Sequence, residues 1–195
     1  MYVDPKPLSS YPWYVRPLFT RLRRRYGQIP EPARLWGRMP KVFAALSLLG
    51  GALERRTSAI EPPLRDLVAA RVAQVNRCAF SVDLHSHALH ERGVPWEKIG
   101  AIGDWRSSEQ FSNRERVVLD YAEAMTRTDA PVSADIVGAV KRHLDDEALI
   151  ELTGLIAFQN MTTKFNNALD VPPQGFCSLA TNSEGEAVAS ARDDR

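Results

Sequence analysis

Three side chains that could carry out chemistry lie close together near the middle of the chain. Cys78, Ser81 and His85 supply a thiol, a hydroxyl and an imidazole at spacings of three and four residues. On a helix that begins near Cys78, positions i, i+3 and i+7 share one face, so the three groups can converge. The free N–H groups and positive end of a helix N-terminus favour a thiolate. The segment therefore predicts a reactive cysteine, and a buried structural cysteine beside a surface histidine is the alternative.

Two further histidines raise the question of a metal site. On a helix, His87 and His90 share a face with Asp83, whereas His85 and His87 lie nearly opposite each other. Two or three such ligands could hold zinc, but histidines on a helix surface are the commoner case. We therefore expect no metal and no cofactor.

Composition limits the class of protein. The chain has 195 residues, a hydrophobic fraction of 44%, a charged fraction of 25% and a formal net charge of +1. These values suit a single soluble domain and argue against nucleic acid as a partner. No apolar run approaches the roughly 18 residues that span a bilayer, and the N-terminus lacks the pattern of a secretory signal. We expect a cytoplasmic protein with no membrane partner.

The basic residues are concentrated near the N-terminus. Between Arg16 and Lys41 there are eight basic residues and one acidic residue. Such a segment can form an anion or nucleic-acid patch, or a solvated helix face or subunit contact. The second interpretation is favoured, because the net charge of the whole chain is close to zero.

The pattern of apolar residues, caps and breakers predicts helices throughout. Residues 1–12 hold three prolines and predict an extended arm rather than core. Helices are predicted from Trp13 to Tyr26, from Pro32 to Trp36, from Lys41 to Leu53, from Pro62 to about Asn76, from Cys78 to Gly93, from Pro95 to Ile99, from the capping box at Ser112, from Ser133 to about Leu144 and from Asp145 to about Leu169. No strand alternation is present, so the chain is predicted to be all-α.

The order of these segments predicts three regions. They are an N-terminal arm and helix over 1–30, a helical domain over 31–177, and a flexible polar tail over 178–195.

The central stretch resembles a known family. Leu64–Val68, followed by the segment Arg71-Val-Ala-Gln-Val-Asn-Arg-Cys78-Ala-Phe-Ser81-Val-Asp-Leu-His85, is similar to the AhpD-like branch of the carboxymuconolactone decarboxylase superfamily. The name AhpD refers to a component of alkyl hydroperoxide reductase. Weaker matches at Gly93–Pro95, Trp105 and Asn166–Pro172 extend the resemblance over about residues 30 to 177. It implies an all-helical fold around a helical hairpin, assembled as a homo-oligomer.

The resemblance also implies site residues. In AhpD-like proteins a Glu is followed twelve residues later by Cys-x-x-Cys, and a His lies four residues after the second Cys. The corresponding residues here are Asp66, Cys78, Ser81 and His85. Ser81 cannot form a disulfide, so the cycle between two cysteines of this motif is excluded. Asp66 keeps the carboxylate on a shorter side chain.

The first functional hypothesis is a peroxiredoxin-type, thiol-dependent peroxidase that uses one cysteine. Cys78 would attack a peroxide to give a sulfenic acid, which an external thiol reductant would reduce. His85 would move protons, Ser81 would hydrogen-bond the thiolate, and Asp66 would orient His85 or a water. Cys177 could resolve the sulfenic acid if it lies near Cys78.

Two other hypotheses remain open at this point. A cofactor-free decarboxylase or lactone-processing enzyme, acting on a small carboxylic acid, would use Arg71, His85 and Asp66 to stabilise an enolate and protonate carbon. A non-catalytic protein that kept the fold would explain the loss of the second cysteine.

Overall fold

Helices account for all the regular structure in the part of the chain that the structure describes. The computed structural model describes residues 1–55, 57–129 and 131–177, and the predicted polar tail lies outside them. The α-helices are α1 (Arg16–Tyr26), α2 (Glu31–Trp36), α3 (Pro40–Leu53), α4 (Pro62–Val75), α5 (Ala79–Glu91), α6 (Trp96–Gly100), α7 (Asn113–Thr126), α8 (Ala134–Lys141) and α9 (Asp146–Ala168). No strand occurs in these ranges, and the predicted all-α class is confirmed.

The centre of the fold is α4, which packs against α5, α7 and α9. Residues on every side of α4 are buried, so its sequence lacks the polar stripe of a surface helix. Its alanines at 69, 70 and 73 let the neighbouring helices approach closely. The main hydrophobic core surrounds α4 and includes Leu67, Val118 and Ile156.

Several helix boundaries follow directly from local chemistry. The Ser112 hydroxyl accepts a hydrogen bond from the Glu115 backbone N–H, and the Glu115 carboxylate accepts one from the Ser112 N–H. This is the predicted capping box of α7. Ser133 and Asp145 cap α8 and α9 in the same general way. Among the described helices, none has both the length and the apolar character needed to cross a bilayer.

The N-terminal region differs from its prediction in two respects. The helix begins at Arg16 rather than Trp13, which places Pro17 in the first turn, where proline is favoured. Tyr11 was expected in an extended arm outside the core, but it is only 2% exposed. Its ring packs on Phe19, which in turn stacks on Phe43 of α3. This aromatic contact draws the arm into the body of the protein.

The basic residues of the N-terminal segment make internal contacts. Arg16 donates to the carbonyl oxygens of Ser9 and Tyr11, and Arg38 donates to that of Asp4. Arg34 pairs with Glu31 within α2. The contacts of Arg16 and Arg38 hold the arm in place, and the Arg34–Glu31 pair balances one of the local positive charges.

Candidate active site

The turn between α4 and α5 places Cys78 at a helix N-terminus. Arg77 adopts a left-handed conformation with φ of 55°. The Cys78 N–H donates to the Ala73 carbonyl at 2.9 Å, and the Arg77 N–H donates to that of Gln74 at 2.9 Å. These two bonds form a Schellman motif that ends α4, and Cys78 is at the same time the N-cap of α5. The hairpin predicted from the resemblance thus fixes the backbone of the cysteine.

The thiol of Cys78 lies in a small polar group. Its Sγ is 3.2 Å from the Ser81 Oγ and 3.8 Å from the Asn166 Nδ2, and that amide also donates to the Ser81 hydroxyl at 3.3 Å. Cys78 is only 1% exposed and belongs to a buried apolar cluster that includes Phe80 and Phe176. The three-residue spacing therefore brings Cys78 and Ser81 together, whereas His85, which was expected to converge with them, pairs with Asp66 instead.

A second polar group is built around Asp66. Its carboxylate oxygens lie 3.4 Å from the His85 Nδ1 and 2.5 Å from the Arg92 Nε. Burial alone would raise the pKa of the Asp66 carboxyl. The hydrogen bonds and positive charge of His85 and Arg92 outweigh this, so the pKa lies below its ordinary value. Asp66 is ionised at neutral pH and can orient the His85 ring.

A cavity of about 690 Å³ joins the two groups. Ser81 and Asn166 form part of its wall, with Cys78 directly behind them, and Asp66, His85 and Arg92 form another part. The remaining wall comes from α1, α2, α3, α4, α5 and α9 and is largely apolar. Its large apolar residues are Leu22, Trp36, Phe43, Leu46, Leu53, Phe80, Leu84, Leu155 and Phe158. The volume suits a drug-sized organic molecule.

Three residues at this site had no assigned role in the sequence prediction. Arg92 lies seven residues after His85, a helical spacing that could have indicated it. Asn166 lies within a segment that matched the family, but its position against Cys78 depends on how α9 packs. Tyr26 lines the cavity, and burial raises the pKa of its phenol to about 12, so the hydroxyl stays protonated.

The structure contradicts the catalytic role suggested for Arg71. Its guanidinium binds the buried Glu123 carboxylate, with Nε at 2.6 Å from Oε1, and also the Gln74 side chain. Arg71 is not part of the cavity wall. The sequence could not show this, because its carboxylate partner lies 52 residues further along the chain.

Cys177 lies on the C-terminal segment beside α5. Its Sγ donates to the Asp83 carbonyl at 3.2 Å, and Asp83 also accepts hydrogen bonds from the Gln174, Phe176 and Cys177 N–H groups. Burial and the nearby Asp83 raise the pKa of Cys177 to about 12, so its thiol is protonated at neutral pH. Both cysteines are free thiols.

The chain is similar in sequence to known proteins. The sequence model of the carboxymuconolactone decarboxylase family matches residues 40–124, which include Asp66, Cys78 and His85. The uncharacterized protein YnjA of Escherichia coli K12 is 43% identical over 173 residues, which cover 89% of this chain and 95% of YnjA.

Two solved structures show the same fold. The first is the debrominase Bmp8 with a cysteine-to-alanine substitution, in complex with 2,3,4-tribromopyrrole. It superimposes with a TM-score of 0.81 at 20% sequence identity, and the match covers 94% of this chain and 97% of Bmp8. The second is an AhpD-core, peroxidase-related protein from Ralstonia eutropha JMP134. It superimposes with a TM-score of 0.80 at 18% sequence identity, and the match covers 90% of this chain and 93% of that protein.

The fold and the site define an all-helical protein with a thiol at the N-terminus of a central hairpin helix and an Asp–His pair on the wall of the adjoining cavity. The chain belongs to the carboxymuconolactone decarboxylase family.

Proposed function

We propose that this protein is a thiol-dependent peroxidase that uses Cys78 as its single reactive cysteine. The observation that carries the proposal is the position of the Cys78 Sγ at the N-terminus of α5, next to the Ser81 hydroxyl and the Asn166 amide. A hydroxyl can donate as well as accept, so both neighbours can donate to a thiolate. With the helix N-terminus, they place hydrogen-bond donors and a positive dipole end around the sulfur that attacks the peroxide.

The proposed reaction has two stages. The Cys78 thiolate attacks one oxygen of a hydroperoxide, the O–O bond breaks, and the products are a Cys78 sulfenic acid and an alkoxide, which takes a proton from His85. One thiol of an external dithiol then condenses with the sulfenic acid, giving a mixed disulfide and water. Its second thiol releases Cys78 and leaves an oxidised dithiol.

The reaction requires the thiol to reach the cavity. In the structure, Ser81 and Asn166 separate Cys78 from the cavity by one layer of side chains. We propose that rotation of the Cys78 side chain past Ser81 exposes the Sγ to the bound hydroperoxide. Cys177 has no part in this cycle, because its thiol is protonated and bound to Asp83.

A direct test is to trap the sulfenic acid. The protein is treated with a stoichiometric hydroperoxide and dimedone, and the adducts are located by peptide mass spectrometry. We expect the adduct on Cys78 and unmodified thiol at Cys177, which is the internal control. Absence of any Cys78 adduct, together with unchanged peroxide, would contradict the proposal.

Substitutions of His85 and Asp66 are expected to lower the peroxidase activity by different amounts. Replacing His85 with alanine should lower kcat/KM for hydroperoxide by about 10²- to 10⁴-fold, the usual contribution of a proton-transfer group. Adding imidazole should restore part of the rate, because the cavity is open to small molecules. Asp66→Asn should cost about 10- to 100-fold, since it removes a hydrogen bond of a charged group that orients His85. A loss that imidazole does not relieve would point to a structural role for His85.

Restoring the second cysteine provides another prediction. The Cys78 Sγ and the Ser81 Oγ lie 3.2 Å apart, so a thiol at position 81 is close enough to bond to the Cys78 sulfur. Ser81→Cys should therefore form an intramolecular disulfide after one equivalent of hydroperoxide, measured as the loss of both titratable thiols at the motif. Ser107→Cys, which adds a thiol on an exposed loop, is the matched control and should keep that thiol. Failure of Ser81→Cys to form the disulfide would show that the sulfenic acid does not form at Cys78.

A second candidate function rests on a different observation. Asp66, His85 and Arg92 line the cavity directly, whereas Cys78 lies behind its wall. A decarboxylase could use Arg92 to stabilise an enolate and His85 to protonate carbon. Its activity would survive Cys78→Ser and be lost in His85→Ala, whereas the peroxidase is expected to lose activity in both variants.

We propose a homo-oligomer located in the cytoplasm, with an external thiol reductant as its reaction partner. Light scattering coupled to size-exclusion chromatography measures the number of subunits.

A further inference from the structure

Arg65 is a buried cation on the cavity wall. It is 8% exposed, and its Nη1 donates to the carbonyl oxygens of Leu53 and Arg55 at 3.0 and 3.1 Å. These carbonyls lie at and just beyond the C-terminal end of α3, where main-chain acceptors lack helical partners. Within residues 1–55, 57–129 and 131–177, no carboxylate forms an ion pair with Arg65. The carbonyls satisfy one nitrogen of the guanidinium but do not balance its charge.

Two other arginines of the cavity wall pair with carboxylates of the same wall, Arg25 with Glu54 and Arg92 with Asp66. Arg21 also lines the cavity, but it is exposed, so water can solvate its charge. A buried charge without a counter-ion is costly, and proteins normally pair it. Arg65 thus leaves the cavity with an excess positive charge that an anionic ligand would neutralise.

The rest of the cavity is suited to an apolar molecule. Trp36, Phe43, Leu46 and Phe158 give it broad aromatic and aliphatic walls, and Trp36 itself stacks on Phe165 behind it. Its volume of about 690 Å³ is far more than hydrogen peroxide needs, and it falls in the range of pockets that enclose drug-sized ligands.

We infer that the cavity binds an amphipathic organic acid, with the carboxylate at Arg65 and the apolar body against the aromatic wall. The inference rests on the proposed function for the chemical step, in which the ligand is the hydroperoxide of such an acid. Cys78 takes one peroxide oxygen and becomes a sulfenic acid, and the substrate leaves as the hydroxy acid. An external dithiol returns Cys78 to the thiol and is itself oxidised to a disulfide.

Binding can be tested without turnover. Isothermal titration calorimetry compares 4-isopropylbenzoate with 4-isopropylbenzamide, which has the same shape without the charge. We expect the benzoate to bind at least about tenfold more tightly to the wild type. Arg65→Met should weaken benzoate binding by about 10- to 100-fold and leave the benzamide nearly unchanged, while Arg65→Lys should keep most of the preference.

Arg38→Met is the matched control, because Arg38 also donates to a backbone carbonyl but is not on the cavity wall. It should bind both compounds like the wild type. Since Arg65 also contacts the end of α3, circular dichroism melting verifies that each variant is folded. If Arg65→Met does not fold, the wild-type preference and Arg65→Lys still decide the question. Equal affinity of the wild type for the two compounds would overturn the inference.

Kinetics separate this inference from the proposed function. Cumene hydroperoxide is compared with its 4-carboxy derivative, with dithiothreitol as the reductant. We expect a higher kcat/KM for the carboxylate compound, and a loss of that preference in Arg65→Met. Turnover of both compounds with no preference would overturn the anion site and leave the peroxidase intact. No turnover of either, with selective benzoate binding, would overturn the peroxidase and leave the anion site.

Discussion

Replacement of Cys78 with serine is expected to lower peroxide turnover by about 10³-fold or more, which is the effect of removing a nucleophile that no neighbour can replace. The hydroxyl that would take its place is far less acidic than a thiol, and the helix N-terminus cannot ionise it at neutral pH. Because serine fits the space of cysteine, the polar contacts with Ser81 and Asn166 are retained. The measurement is kcat/KM for cumene hydroperoxide with dithiothreitol in excess.

Cys177→Ser provides the matched control for this experiment. It removes the second thiol of the chain, which donates to the Asp83 carbonyl beside α5. Its turnover should lie within about twofold of the wild type, because the resolving thiol of the proposed cycle comes from outside. Full activity of Cys78→Ser would exclude the thiol mechanism, and a large loss in Cys177→Ser would assign the resolving step to Cys177.

The sequence was informative where local chemistry decides the structure. The capping box at Ser112 and the glycine at position 93, which has φ of 79°, set helix ends through contacts within a few residues. The same holds for the contact of Cys78 with Ser81, because a spacing of three residues at the start of a helix dictates it. These features depend on the immediate neighbours of each residue, and the structure has them as predicted.

Contacts between distant segments could not be deduced in the same way. The pairing of His85 with Asp66 joins two helices, and it was suggested only by the family resemblance. The burial of Tyr11 depends on Phe19 and Phe43, and no pattern in residues 1–12 reveals that contact. The position of Cys78 behind the cavity wall depends on Asn166 of α9, 88 residues away. Packing of whole helices determines these arrangements.

The same distinction applies to two arginines. Arg71 was predicted to be a catalytic cation, which is wrong, and Arg65 had no predicted role. Both are arginines on α4, six residues apart in sequence. Arg71 faces the Glu123 carboxylate of α7, whereas Arg65 faces the end of α3 and the cavity. Only the positions of α3 and α7 around α4 separate a structural arginine from one that is available to a ligand.

The loss of Glu123 is expected to have the largest effect on stability. Its carboxylate is 2% exposed and accepts hydrogen bonds from the Arg71 Nε at 2.6 Å, the Trp105 Nε1 at 2.7 Å and an Arg106 Nη at 2.8 Å. Glu123→Ala leaves the Trp105 indole N–H without a partner and the largely buried Arg71 guanidinium without its counter-ion, bound only to the Gln74 side chain. Breaking a buried ion pair in this way costs about 3–5 kcal/mol, equivalent to a decrease in Tm of about 6–20 °C for a chain of this size.

Asp120→Asn is the matched control, because Asp120 lies one turn earlier on α7 and binds the same Arg106. Its carboxylate side chain is 42% exposed, so the substitution should cost no more than about 1 kcal/mol. Urea denaturation of the three proteins measures the free energies of unfolding. If Glu123→Ala and Asp120→Asn lower the free energy of unfolding equally, the contacts of Glu123 with Arg71, Trp105 and Arg106 stabilise the protein no more than a surface ion pair does.

The pH dependence of the Glu123 effect should follow from its carboxyl pKa. Burial alone would raise that pKa, but hydrogen bonds from Trp105, Arg106 and Arg71 outweigh burial and hold it below the ordinary value of 4.5. A carboxylate with a depressed pKa contributes its full stabilisation above the unfolded value and loses it as the pH falls through the folded value. The difference in unfolding free energy between wild type and Glu123→Ala should therefore be constant from neutral pH down to about 4.5 and decrease below it. A difference that already decreases between pH 7 and pH 5 would mean that the carboxylate is not held in its ionised form by this cluster.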